Sequence, residues 1–152
     1  MKELSKEEIT AVLKEVKDGV LSLTDGTRPY CIPFGFVYVN GNVYITMFPK
    51  GRKWDCFQKN QNVCFTVFSW DEGRTEWSSV VVDGEMEQIN DLETIQDVVK
   101  ANMEKMGLDP ETYLEKRMEY YRKSLDNPNS LKAFRINTRD IAGKKMQTML
   151  GK

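Results

Sequence analysis

The chain has no histidine among its 152 residues. That absence removes Ser-His and Cys-His nucleophile pairs, the common zinc-ligand sets, and the side chain best suited to moving protons near neutral pH. Cysteine is scarce. Cys31, Cys56 and Cys64 are odd in number and show no Cys-x-x-Cys spacing, so neither a disulfide framework nor a metal site is expected. Basic charge is not in excess: 22 Lys and Arg against 23 Asp and Glu give a formal net charge of -1. Binding to phosphate backbones calls for a basic surplus, so no nucleic-acid partner is expected. No apolar run approaches the ~20 residues that span a bilayer. The stretch from Met1 to Lys17 is charged and periodic, unlike a signal-peptide core. These features point to a cytoplasmic protein with no membrane partner. A Gly-x-Gly-x-x-Gly fingerprint and βαβ alternation are also missing, which excludes a Rossmann reading. With the usual acid–base set gone, any enzymatic chemistry falls to a bound cofactor. No catalytic residue can be named from the sequence.

What remains is an ordinary globular balance, 40% hydrophobic and 30% charged. The length fits one domain over residues 1–152. Ser5 and Glu8 form a Ser-x-x-Glu capping box, and Ile9, Val12, Leu13 and Val16 recur at helical spacing. This predicts a helix from Ser5 to Lys17, ended by Gly19. Strands are expected at Val20–Thr24, Tyr30–Val39, Val43–Met47, Val63–Trp70 and Trp77–Ile89, with Gly84 as a bulge or corner. Asn40-Gly41 tolerates positive φ at both positions and predicts a tight type I′ hairpin. A short helix is expected from Arg52 to Lys59. Residues 91–126 read as a helical insertion: Leu92–Met106 closed by Gly107, then a restart at Asp109-Pro110 with Leu114, Met118, Tyr121 and Leu125 as its apolar stripe. A last strand starts at Leu131 and ends near 137, followed by a Lys-rich tail. About six strands joined mostly by hairpins, with helices outside, predict a mainly β protein whose antiparallel sheet closes into a small barrel.

Three segments carry candidate chemistry. Lys50-Gly51-Arg52-Lys53 lies between a strand end and a helix start, where unpaired N–H groups and two cations suit a phosphate. Basic turns are common, and on spacing alone the solvated surface turn is the more frequent reading. Trp77-Ser78-Ser79-Val80 places hydroxyls at a strand start, able to meet a polar ligand edge or simply to pack. Pro33-Phe34-Gly35-Phe36 interrupts a strand with proline and glycine, which marks either close approach of a ligand or an irregular edge. The aromatic residues and the methionines from Met103 to Met118 read mainly as packing.

Taken in order, Gly19-Val-Leu-Ser-Leu-Thr, Pro29-Tyr-Cys-Ile-Pro-Phe-Gly-Phe-Val-Tyr-Val-Asn-Gly, Val43-Tyr-Ile-Thr, Gly51-Arg-Lys, Asn62-Val-Cys-Phe-Thr-Val and Trp77-Ser-Ser-Val-Val-Val-Asp-Gly resemble the FMN-binding split-barrel family related to pyridoxamine 5′-phosphate oxidase, in particular its nitroimidazole-resistance-like branch. Ile141-Ala-Gly-Lys resembles the usual ending of that branch. The resemblance implies a six-stranded antiparallel Greek-key split β-barrel with peripheral helices, a homodimer, and FMN at the interface. It implies that Arg52 and Lys53 grip the FMN phosphate, that Thr46 lies near the flavin, and that Pro33, Phe34, Gly35 and Phe36 edge the isoalloxazine ring. It further implies that Ser79 points a polar group at the flavin, with Ser78 and Val80 beside it. The sequence departs from the branch at Thr46, where a histidine is usual, and shows no Arg-x-His-type ending of a true pyridoxamine-phosphate oxidase. The implied function is an FMN-dependent oxidoreductase passing electrons from a reduced nicotinamide-type donor to a small-molecule substrate. The alternatives are a non-catalytic flavin-binding or sensor module, or the same groove holding a deazaflavin or haem.

Overall fold

The computed structural model describes residues 1–148. Eight strand segments and four helices follow in the order β1 (Lys2–Glu3), α1 (Lys6–Glu15), β2 (Asp18–Thr24), β3 (Pro29–Gly35), β4 (Val37–Val39), β5 (Asn42–Met47), α2 (Gly51–Lys59), β6 (Asn62–Trp70), β7 (Glu76–Ile89), α3 (Leu92–Met106), α4 (Pro110–Ser124) and β8 (Lys132–Gln147).

The strands form one sheet in the order β3-β2-β6-β7-β8-β5-β4, with β1 beside the far end of β8. Every pairing is antiparallel. The two edge strands are consecutive in sequence: β3 ends at Gly35 and β4 begins at Val37. One residue, Phe36, therefore joins opposite edges of the sheet. The sheet must curl until those edges meet, which makes a half-barrel of the split-barrel kind expected from the sequence. Phe36 is buried at this seam and meets Phe65 edge to face, with ring centroids 5.0 Å apart.

Alternation along each strand divides the fold into two cores. Val43, Ile45 and Met47 of β5 point into the barrel, together with Phe65, Val80 and Phe134. Tyr44 points outward and packs under α3 and α4 with Val98, Val99 and Met103. Each buried aliphatic side chain of this kind contributes roughly 1.5–3 kcal/mol. The helix α1 lays Ile9 and Leu13 on the barrel core, and α2 closes it with Cys56 and Phe57.

Local signals explain most boundaries. The Ser5–Glu8 capping box forms with both bonds in place. Asn40 and Gly41 take φ of 53° and 80° and turn β4 into β5. Gly107 ends α3 in the left-handed region, and Asp109 caps α4 with Pro110 in its first turn. The β7–β8 register shifts between Asp83 and Gly84, so the expected irregularity at Gly84 is present.

Three expectations are corrected. The sheet has eight strand segments among the described residues instead of six: the run from Tyr30 to Val39 breaks at Phe36, and Lys2–Glu3 adds a short strand against Lys144–Lys145. The last strand continues to Gln147, because β7 offers fourteen residues for it to pair with, and the Lys-rich tail lies on this ladder. The first helix stops at Glu15, capped by Val16, and Gly19 already sits within β2 opposite Phe34.

Candidate functional site

A cavity of about 510 Å³ opens between the outer face of the β3–β5 region and helices α3 and α4. Volumes of this order suit a small-molecule ligand. The strands supply Phe34 to Val37 and Tyr44 to Thr46. The seam of the barrel thus forms one wall, and Thr46 reaches it because β5 alternation turns that side chain outward. The α3 wall is Val98, Val99, Asn102, Met103 and Met106. The α4 wall is Tyr113, Lys116, Arg117 and Tyr121, four residues at helical spacing on one stripe.

The basic turn does not line this cavity. Lys50 is the N-cap of α2 and makes no side-chain cap bond, and Gly51 has φ of 81°. No capping side chain therefore competes for the first N–H groups of the helix, which suits an anion. Arg52 is exposed and lies over the ring of Tyr30 at 4.5 Å, while Lys53 is half-buried. Tyr30 and Phe34 stand four residues apart on the same strand, a rise of about 13 Å. Arg52 and the cavity wall therefore mark two ends of one short path along β3.

The other expected residues lie elsewhere. Pro33 is exposed on the outer sheet face opposite Val20. Ser79 stands between Phe68 and Lys144 across neighbouring strands, and Ser78 between Ser69 and Lys145. Val80 is fully buried in the barrel core, so only its backbone is open to a ligand. Strands β2 and β6 separate β7 from β3, and β8 separates it from β5. Within one chain, then, Phe34, Gly35, Phe36 and Thr46 come together, Arg52 and Lys53 lie at the next helix start, and Ser78, Ser79 and Val80 stand apart.

Several residues of the site carried no recognised signal in the sequence. Tyr113, Lys116 and Arg117 of α4 are one set; their helical spacing to Tyr121, which reads as part of the apolar stripe, is the available clue. Lys105 is another. Its Nζ donates to the carbonyl of Phe36 at 2.8 Å and lies 3.8 Å from the centre of that ring. Burial lowers its pKa to about 8, partly opposed by Asp18 and reinforced by Lys17. Burial also raises the pKa of Tyr121, with Arg117 pulling the other way. Among the described residues no group of three potential ligands could hold a metal ion, and no helix is long and apolar enough to cross a membrane.

The curled antiparallel sheet with a helix-covered cavity at its seam is that of a split-barrel protein. The family model for pyridoxamine 5′-phosphate oxidase matches residues 5–145, and the chain belongs to that family. A FAD-binding protein from Mesorhizobium loti shares 25% identity at a TM-score of 0.69, covering 96% of this chain and 98% of that one. A protein from Bacteroides thetaiotaomicron named for 5-nitroimidazole antibiotic resistance gives 22% identity and a TM-score of 0.71, over 95% and 86% of the two chains. A FAD-binding protein from Mycobacterium smegmatis gives 20% and 0.69, over 96% and 100%. The last two likenesses speak to the fold alone. No curated protein matches the chain.

Proposed function

We propose that this chain is an FMN-binding oxidoreductase that works as a homodimer. The observation that carries this reading is the path along β3: a phosphate-suited helix start at Gly51–Lys53 lies one strand-length from an apolar cavity walled by Phe34, Phe36 and Thr46. Arg52 and Lys53 would hold the phosphate, and the strand edge from Pro33 to Phe36 would flank the ring. When bound, FMN supplies two-electron transfer between a reduced nicotinamide-type donor and a small acceptor. The residues present fit that role, since the site offers donors and apolar walls and asks for no histidine. The same lack of histidine disfavours haem, which needs an axial ligand.

The dimer is supported by the outer sheet face. Phe68, Trp70 and Val81 are 57%, 38% and 39% exposed around Ser79, an apolar patch of the kind that marks an interface. A second copy seated there would add its own Ser78–Val80 segment to the flavin site, which accounts for their distance from the cavity within one chain.

The test is the visible spectrum of the purified protein after FMN addition and gel filtration. Retained oxidised-flavin bands that vanish in Arg52→Ala/Lys53→Ala support the site. A wild type that retains no flavin overturns it. Chromatography of the released cofactor decides between FMN and FAD. A second reading, flavin held without turnover, is favoured by the cavity walls, which include no carboxylate among the described residues. Anaerobic bleaching of the bound flavin by NADH or NADPH separates the two.

A further inference from the structure

The two walls of the cavity differ in kind. The α3 wall is apolar apart from Asn102, and the seam wall adds Phe34, Phe36 and Val37. The α4 wall presents only Tyr113, Lys116, Arg117 and Tyr121. No Asp or Glu lines the cavity among the described residues.

The basic residues of α4 are used in two ways. Arg122 pairs with Glu115, and Lys123 with Glu119. Lys116 and Arg117, which line the cavity, have no carboxylate partner among the described residues. Beside them Tyr121 is 4% exposed as a residue, but among the described residues no side-chain polar atom is both sealed off and unpaired, so its hydroxyl is open to the cavity it lines. Here a hydroxyl open to the cavity and two cations without a carboxylate partner border the same space, opposite a mainly apolar wall.

We propose that the helix side of this cavity binds an apolar carboxylic acid, with its carboxylate on Arg117, Lys116 and the Tyr121 hydroxyl and its hydrocarbon body against α3 and the Phe34–Phe36 seam. A planar carboxylate matches the fork of a guanidinium and accepts from a hydroxyl and an ammonium. The apolar wall has little to offer a polyhydroxylated or peptide ligand, whose polar groups would be left unpaired. The proposal takes this acid to be the flavin's small-molecule partner and so rests on the flavin reading for its role, though not for its binding.

The test is titration of the protein as purified with 3-phenylpropionate, its neutral amide 3-phenylpropionamide, and 2-phenylethyl phosphate. Tryptophan fluorescence and thermal shift serve as readouts, which require no flavin. The acid is expected to bind at least tenfold more tightly than the amide. Lys116→Gln/Arg117→Gln should reduce the acid to the level of the amide while the melting temperature without ligand stays unchanged. Tyr121→Phe, which removes only the hydroxyl, should weaken the acid several-fold and leave the amide unaffected. Equal binding of acid and amide overturns the proposal, as does undiminished acid binding in the double variant or tighter binding of the phosphate than of the acid. A wild type that prefers the acid but retains no flavin sinks the flavin reading and supports the acid site. Loss of flavin from Lys116→Gln/Arg117→Gln with retention in Arg52→Ala/Lys53→Ala assigns these cations to the cofactor phosphate and overturns the proposal.

Discussion

Lys105 holds Phe36 twice: its ammonium donates to the Phe36 carbonyl at 2.8 Å and lies 3.8 Å from the centre of the Phe36 ring. Phe36 is the one residue joining the two edges of the curled sheet. The end of α3 is therefore fastened to the point where the barrel closes, next to the cavity. A helix outside the sheet thus fixes the seam that walls the site.

This contact makes stability depend on pH in a definite direction. Burial lowers the Lys105 pKa from 10.5 to about 8, with Asp18 and Lys17 as the charged groups acting on it. Below pH 8 the lysine is charged in both folded and unfolded chains, and the folded state bears the full desolvation cost. Between pH 8 and 10.5 the unfolded chain binds the extra proton, so stability rises with pH. Above that window the cost is gone. Lys105→Met should remove this rise, an effect on the order of 1 kcal/mol once solvent screening of a half-exposed side chain is allowed for. Urea unfolding of both proteins across the window checks it. A wild-type-minus-variant difference that stays flat would sink the claim.

Gly84 allows close contact of backbones at the β7–β8 irregularity. A Cβ there would lie 2.2 Å from the carbonyl oxygen of Asn137 and 3.0 Å from Ile136 Cγ2. Neither neighbour can swing away, since one is backbone and the other belongs to a fully buried residue. Gly84→Ala should cost about 3 kcal/mol or more, the upper end of core overpacking. Gly41→Ala meets nothing within 4 Å and should cost only the left-handed penalty of about 1–2 kcal/mol. Denaturant midpoints of the two variants give the comparison, and equal losses would contradict it.

Most elements were legible because their signals are local. The Ser5–Glu8 box, the Asn40-Gly41 turn, the Gly107 stop and the Asp109-Pro110 restart each fix a boundary by backbone chemistry within a few residues. The break at Phe36 was not legible, because it arises where opposite sheet edges meet and depends on the whole order of strands. The reach of β8 to Gln147 was hidden for a similar reason: its lysines read as a solvated tail until β7 is seen beside them. At the site, Phe34 to Phe36 and Thr46 were marked by proline, glycine and family order. The α4 stripe was not, since Tyr113, Lys116 and Arg117 are what any exposed helix face carries, and only the position of α4 against the seam gives them a cavity to line.

The outer sheet face supplies a test of assembly. Phe68 and Val81 project away from the barrel core, at 57% and 39% exposure, so charging them leaves the core packing alone. Phe68→Asp/Val81→Asp should turn the proposed homodimer into a monomer with unchanged far-UV circular dichroism and with loss of retained flavin. Sedimentation velocity over a range of concentrations reads the first outcome. A wild type that sediments as a monomer throughout would remove the dimer from the proposed function.

The ring of Tyr30 supports Arg52, whose guanidinium carbon lies 4.5 Å from its centroid. An exposed cation–π contact of this kind contributes about 0.5–1 kcal/mol. If Arg52 grips the cofactor phosphate, losing the ring frees the guanidinium and weakens only ligands that carry a phosphate. Tyr30→Leu should therefore bind FMN about 2- to 5-fold more weakly, as that energy requires, and bind riboflavin as the wild type does. Fluorescence titration of both flavins against both proteins measures the ratio. Equal weakening of FMN and riboflavin would show that Tyr30 shapes the ring site instead, and no change in either would detach Arg52 from the phosphate.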